Sequence, residues 1–156
     1  MTLIVGIGNE IKRDDVVGLE VTDRIATEYD FDAEIRTMTS GRLMLIDELS
    51  GHDRAILIDA VATDDGTPGE WYRFDPATVE PASGGLATHN VGLETLTTLG
   101  EAMGESMPEV TIYAIEVADP FTYAEGMTDR VADAVEDLAC EIGDAISEEL
   151  AQSSAG

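Results

Sequence analysis

Basic side chains are almost missing from this chain: one lysine, Lys12, and seven arginines stand against 33 acidic residues, a formal net charge of -25. Polynucleotides and anionic membrane surfaces are held by Lys and Arg that neutralise phosphate, so no nucleic-acid or membrane partner is expected. Cysteine is equally scarce. Cys140, standing alone, rules out an internal disulfide and any metal site built of cysteines only. No apolar run reaches the length of a membrane span. The N-terminus opens on a strand-like run without basic segment, signal core or cleavage site, which makes a soluble cytoplasmic protein the expectation. Two catalytic signatures are also missing. Gly6 and Gly8 follow an apolar run, but the third glycine of a dinucleotide fingerprint would fall at Ile11, and no Gly-Lys-Ser/Thr follows, so no nucleotide partner is expected. There is no Gly-x-Ser-x-Gly elbow, and Cys140 is assigned to the flank of a final helix, far in sequence from either histidine.

What is present is enough to fold. The 156 residues suit one domain (1–156), and an apolar fraction of 44% in regular patterns offsets chain entropy despite the charge. A carboxylate-rich coat nearly free of lysine suits concentrated salt, where screening over a few ångströms removes self-repulsion. A halophilic cytoplasm is the expectation.

Thr2 to Gly8 is a continuous apolar run ending in glycine, the pattern of a buried parallel strand. Val17, Val21 and Ile25 then take helical spacing from about Asp15. Ala33–Met38, Arg54–Val61, Glu70–Phe74 and Glu109–Val117 read as further strands, with Glu70–Phe74 as an antiparallel edge. Leu43–Leu49 reads as a short helix, Asp75–Thr88 as a long connection, and His89 to about Met103 as a helix. Thr128 is an N-cap for a long last helix with Val131, Val135, Leu138, Ile142 and Ile146 on its apolar face, fraying from about Gln152. Its Asp133, Glu136, Asp137, Glu141 and Asp144 form a solvated face. Strands alternating with helices give an α/β fold: a three-layer sandwich with a mixed, mostly parallel five-stranded sheet covered by helices on both faces. Ligands of such sheets bind at the carboxyl ends of the strands.

Three short stretches set polar side chains at those ends: Asp14-Asp15 after the first strand, Asp59 in Leu57-Ile58-Asp59-Ala60, and Thr88-His89-Asn90. Each has an ordinary explanation. Adjacent carboxylates before a helix read first as caps, Asp59 as a hydrogen-bonded acid at a strand end, and His89 as a helix-start residue. One of the Asp14-Asp15 pair can cap while the other faces the cleft. An acid interrupting a buried strand must be paired, coordinated or neutralised. Together, two carboxylates and a histidine make a donor set suited to a borderline divalent ion such as nickel or zinc. His52, the other histidine, falls in a surface turn.

These residues resemble the hydrogenase maturation endopeptidase family, which trims the C-terminal tail of the nickel-iron hydrogenase large subunit. The opening motif matches Gly6-Ile7-Gly8-Asn9 through Asp14-Asp15 and Gly18, and the middle matches Leu57-Ile58-Asp59-Ala60 with Pro68-Gly69-Glu70. Thr88-His89-Asn90 with Leu93, Ile115-Glu116 and Gly126-Met127-Thr128 follow in order. The resemblance implies a mixed sheet sandwiched by helices and Asp15, Asp59 and His89 as metal ligands; Asp15 and Asp59 are the catalytic candidates, with Asp15 the first choice of general base on its position alone. Ser40, Gly41 and Asn90 would bind substrate. The expected partner is the large-subunit precursor, and the expected metal is nickel held by that precursor, for which zinc or another divalent ion can substitute. One segment departs from the family: Thr37-Met38-Thr39-Ser40-Gly41 stands in place of an Asp-Gly-Gly-Thr-x-Gly-like stretch, lacking its acid and keeping only its end. A paralogous protease with another metalloprotein precursor, or a non-catalytic metal-binding or docking factor, is the alternative.

Overall fold

The computed structural model describes residues 2–39, 44–74, 101–104 and 106–155. Five strands carry the fold: β1 (Thr2–Ile7), β2 (Ala33–Met38), β3 (Arg54–Val61), β4 (Trp71–Phe74) and β5 (Glu109–Glu116). Helices α1 (Val17–Glu28), α2 (Met44–Leu49) and α3 (Asp129–Ala155) flank them, and a single 3-10 turn, Arg13–Val16, precedes α1.

β1 and β3 are buried on both faces because their residues are apolar without alternation, as central parallel strands require. The sheet runs β2-β1-β3-β5-β4, with β2, β1, β3 and β5 parallel and β4 antiparallel to β5, as expected for the edge. Trp71 pairs with Ile115 and Phe74 with Ile112 in that register. Gly69, at φ 98°, turns the chain into β4 in a conformation that side-chain-bearing residues rarely adopt, and its N–H donates to the Glu116 carbonyl.

Side-chain alternation divides the core in two. Ile4, Ile56, Ile58 and Ile115 face α1 and α3, meeting Val17, Val21, Ile25, Val135, Leu138, Ile142 and Ile146. Leu3, Val5, Leu57 and Ala114 face the other way, against Leu45, Ile46 and Leu49 of α2. Helices therefore cover both faces, giving the three-layer sandwich.

Differences from the sequence reading are confined to element ends. The segment before α1 is a 3-10 turn rather than the helix's first turn, and α3 continues to Ala155, past the expected fraying point at Gln152. The expected helix from His89 falls mainly outside the described residues; its last residues, Glu101 and Ala102, are helical, and Gly104 at φ 86° follows them. His52 does occupy a turn, but its side chain is only 14% exposed. No helix among the described residues is long and apolar enough to cross a membrane.

Candidate functional site

The chain leaves β1 toward β2 on one side and later returns to place β3 on the other, so the order reverses between β1 and β3. A reversal of this kind opens a crevice at the carboxyl ends of the two strands. Asp15 follows β1 and Asp59 lies near the end of β3, so both belong to this pole.

Three glycines draw the pole together. A Cβ at Gly8 would sit 2.4 Å from the Asp15 carbonyl oxygen, and one at Gly18 would sit 2.2 Å from the Ile7 oxygen and 2.8 Å from the Ile58 oxygen. At Gly6 it would meet the Thr22 hydroxyl at 2.2 Å. Only a missing side chain lets the 3-10 turn and α1 approach the strand ends this closely. The Gly6-Ile7-Gly8 pattern is thus a device for helix-on-strand packing, with Gly18, rather than Ile11, as its third member.

Asp14 and Asp15 divide their labour, though not by capping. The N-cap positions are Lys12 for the 3-10 turn and Val16 for α1, and neither makes a side-chain cap. Asp14 is fully buried and reaches across the molecule instead. Its Oδ2 accepts from the backbone N–H of Ala118 at 3.1 Å and of Asp119 at 2.8 Å, while Oδ1 accepts the Thr128 N–H at 2.7 Å. The Thr128 hydroxyl adds contacts at 3.0 and 2.9 Å, so one carboxylate joins the turn after β1 to the loop between β5 and α3. Arg13, immediately before it, takes φ 33°, the one positive φ at a non-glycine among the described residues. Strain of this kind persists only where surrounding contacts overdetermine the backbone, and the Asp14 contacts do so here.

Asp15 is half-buried, with its N–H donating to the Lys12 carbonyl at 2.8 Å. Asp59 is half-buried as well, and its Oδ1 accepts from the following Ala60 N–H at 2.8 Å. By alternation it shares the sheet face of Leu57 and Val61. His89, Asn90, Ser40 and Gly41 lie outside the described residues. Among the described residues no three His, Cys, Asp or Glu side chains converge on a metal position. Asp15 and Asp59 are the two of the three expected ligands that fall within the described residues, and both would offer carboxylate oxygens only.

A second buried acid was not singled out as a site residue from sequence. Glu116, at the end of β5, is 1% exposed and accepts from the Thr63 N–H at 2.7 Å, the Thr63 hydroxyl at 2.6 Å and the Tyr72 hydroxyl at 3.1 Å. It fixes the loop that follows β3. Gly66 is required there, since a Cβ would come within 1.9 Å of the Glu116 carboxylate. The signal in the sequence is an acid closing an otherwise apolar strand, the same signal that marks Asp59.

The model of the hydrogenase maturation protease family matches residues 11–145 of the chain. The chain belongs to this family. Solved structures of maturation proteases share its fold: the hydrogenase-maturating endopeptidase HybD of Escherichia coli is 20% identical, with a TM-score of 0.70 over 95% of this chain and 93% of that one. A second Escherichia coli endopeptidase is 21% identical, with a TM-score of 0.74 and the same coverage. The [NiFe] hydrogenase maturation protease HybD of Thermococcus kodakarensis is 22% identical, with a TM-score of 0.63 over 96% and 97% of the two chains. No curated protein matches the chain. Cys140 is exposed on α3, and slight desolvation together with the neighbouring Glu28, Asp144, Glu136 and Asp137 carboxylates raises its thiol above the ordinary range, away from the thiolate form that attacks.

Proposed function

We propose that this maturation protease is an endopeptidase that removes the C-terminal extension of a nickel-iron hydrogenase large-subunit precursor after nickel insertion. The observation that carries this reading is the placement of Asp15 and Asp59 at the β1/β3 reversal, locked by the Gly8 and Gly18 contacts. Nickel in this scheme is cargo of the precursor. Asp15, Asp59 and His89 would complete its coordination, which would make cleavage conditional on metallation, and the metal would supply polarisation of the scissile carbonyl or a water. Zinc or another divalent ion can substitute where the precursor carries it. Asp15 is the general base of choice and Asp59 the second catalytic carboxylate, while Ser40, Gly41 and Asn90 contact the peptide. The acidic coat suits a salt-rich cytoplasm.

The test is cleavage of nickel-loaded precursor by wild type and by Asp59→Asn and His89→Ala. Tail removal by wild type alone supports the assignment. Undiminished cleavage by both variants eliminates the proposed roles, and tight metal binding without cleavage of any metallated precursor favours the docking-factor alternative.

A further inference from the structure

Among the described residues four large apolar side chains are exposed, and three of them, Ile11 (55%), Phe121 (73%) and Tyr123 (72%), lie on two adjoining segments beside the candidate site. Those segments are joined as one platform. Lys12 and Ala124 form a parallel β-bridge, the Arg13 N–H donates to the Ala124 carbonyl and the Ala124 N–H to the Ile11 carbonyl, each at 3.0 Å. Asp119 orders the aromatic segment from within: the Thr122 hydroxyl, then the Thr122 and Phe121 N–H groups, hold its carboxyl below the usual range.

Against α1 the platform leaves a groove of about 380 Å³. Ile11, Leu19 and Met127 supply its apolar lining, whereas Glu10, Glu20, Asp23 and Glu125 supply its charge, with no cation among the lining residues. Val16 also lines it, so the groove begins one residue from Asp15. The nearby ammonium of Lys12 is directed to the Tyr123 ring, 5.3 Å from its centroid. An apolar patch with a polar rim is the anatomy of a protein-recognition surface.

We propose that this platform and groove dock the metalloprotein precursor, gripping an apolar segment of it flanked by Lys or Arg. The inference rests on the endopeptidase reading for the partner's identity, and the occupant's chemistry follows from the surface: apolar side chains for Ile11, Phe121 and Tyr123, cations for the four-carboxylate rim. Docking here brings the precursor alongside Asp15 independently of the metal.

The experiment separates the two ideas by using nickel-free precursor for binding and nickel-loaded precursor for cleavage. In molar salt, wild type should bind nickel-free precursor, and the double substitution Phe121→Ser with Tyr123→Ser should weaken binding at least tenfold, about 1.4 kcal/mol, with an unchanged melting temperature. Ile11→Ser should act in the same direction. On nickel-loaded precursor the double variant should raise KM to a similar extent and keep kcat. At lower salt, Glu20→Lys with Asp23→Lys should weaken binding further, because the rim charge is then unscreened. No binding by wild type, or affinity of the serine variants within twofold of wild type, overturns the docking proposal. Intact binding without cleavage of nickel-loaded precursor overturns the endopeptidase reading and leaves the docking surface standing.

Discussion

Replacing Asp14 by asparagine tests whether the pole is built as described. The carboxylate is fully buried and accepts three backbone N–H groups and the Thr128 hydroxyl. An amide of the same shape keeps one acceptor oxygen, and turns its NH2 against either the Ala118 and Asp119 amides or the Thr128 amide. At least one buried donor then faces another donor. Leaving a buried partner of a charged group unsatisfied costs about 1–3 kcal/mol, so Asp14→Asn should lose roughly 2–3 kcal/mol. Asp14→Ala, which strands every donor, should lose about 3–5 kcal/mol. For a chain of this size, a loss of about 3 kcal/mol lowers the melting temperature by roughly 6–12 °C. The control is Asp15→Asn. Half-buried where Asp14 is fully buried, it should cost less stability than Asp14→Asn while abolishing cleavage. Urea titrations in molar salt, read as midpoints at constant slope, measure both. An Asp14→Asn protein as stable as wild type would refute the reasoning.

Gly18→Ala, whose Cβ would strike two backbone carbonyls, should cost at least about 2 kcal/mol by overpacking and impair cleavage, with no nucleotide able to restore the melting temperature. Alkaline titration should reveal late tyrosines: the Asp144 hydrogen bond, then burial, raises Tyr29 to about 12, and burial, then the Glu116 hydrogen bond, raises Tyr72 to about 12. Burial, then Glu149, raises Tyr113 as well. Because these folded-state values exceed the ordinary 10.0, the stability they contribute is complete below pH 10.0 and is lost as the pH rises through about 12; ultraviolet difference absorbance followed in parallel with a melt series checks it. Wild type should melt higher in molar salt than in dilute buffer, and equal stability in both would remove the case for a halophilic coat.

The strands were legible because parallel strands buried on both faces announce themselves as apolar runs, and the antiparallel edge because Trp71 to Phe74 alternates. The place of Asp59 near the end of β3 was legible too, since the apolar run that it interrupts marks the strand. The role of Asp14 was not. Its partners lie 104 to 114 residues away in the chain, and the local signal, acids before a helix, points to a cap that does not form. Glu149 was missed for the opposite reason: it continues the α3 register of Ile142 and Ile146, so its helical position predicts burial, whereas its charge suggests solvent. It is in fact 6% exposed and bonded to Arg54, Arg73 and Tyr113. The five acids assigned to the solvated face of α3 are all exposed.

These cases separate the acids into two physical populations. The exposed acids repel one another in dilute solution and are screened within about 3 Å at molar salt. Asp14, Glu116 and Glu149 are removed from that screening by burial, and the first two are satisfied by N–H and hydroxyl donors, without Lys or Arg. Neutral donors suit a chain with eight basic residues, because a buried carboxylate held by backbone N–H groups needs no cation and depends little on ionic strength. Asp14 and Glu116 serve the loops after β5 and β3. The architecture of the pole should consequently be insensitive to salt even where global stability is not: the Asp14→Asn penalty should be the same in dilute and molar salt, while the wild-type melting temperature moves between them.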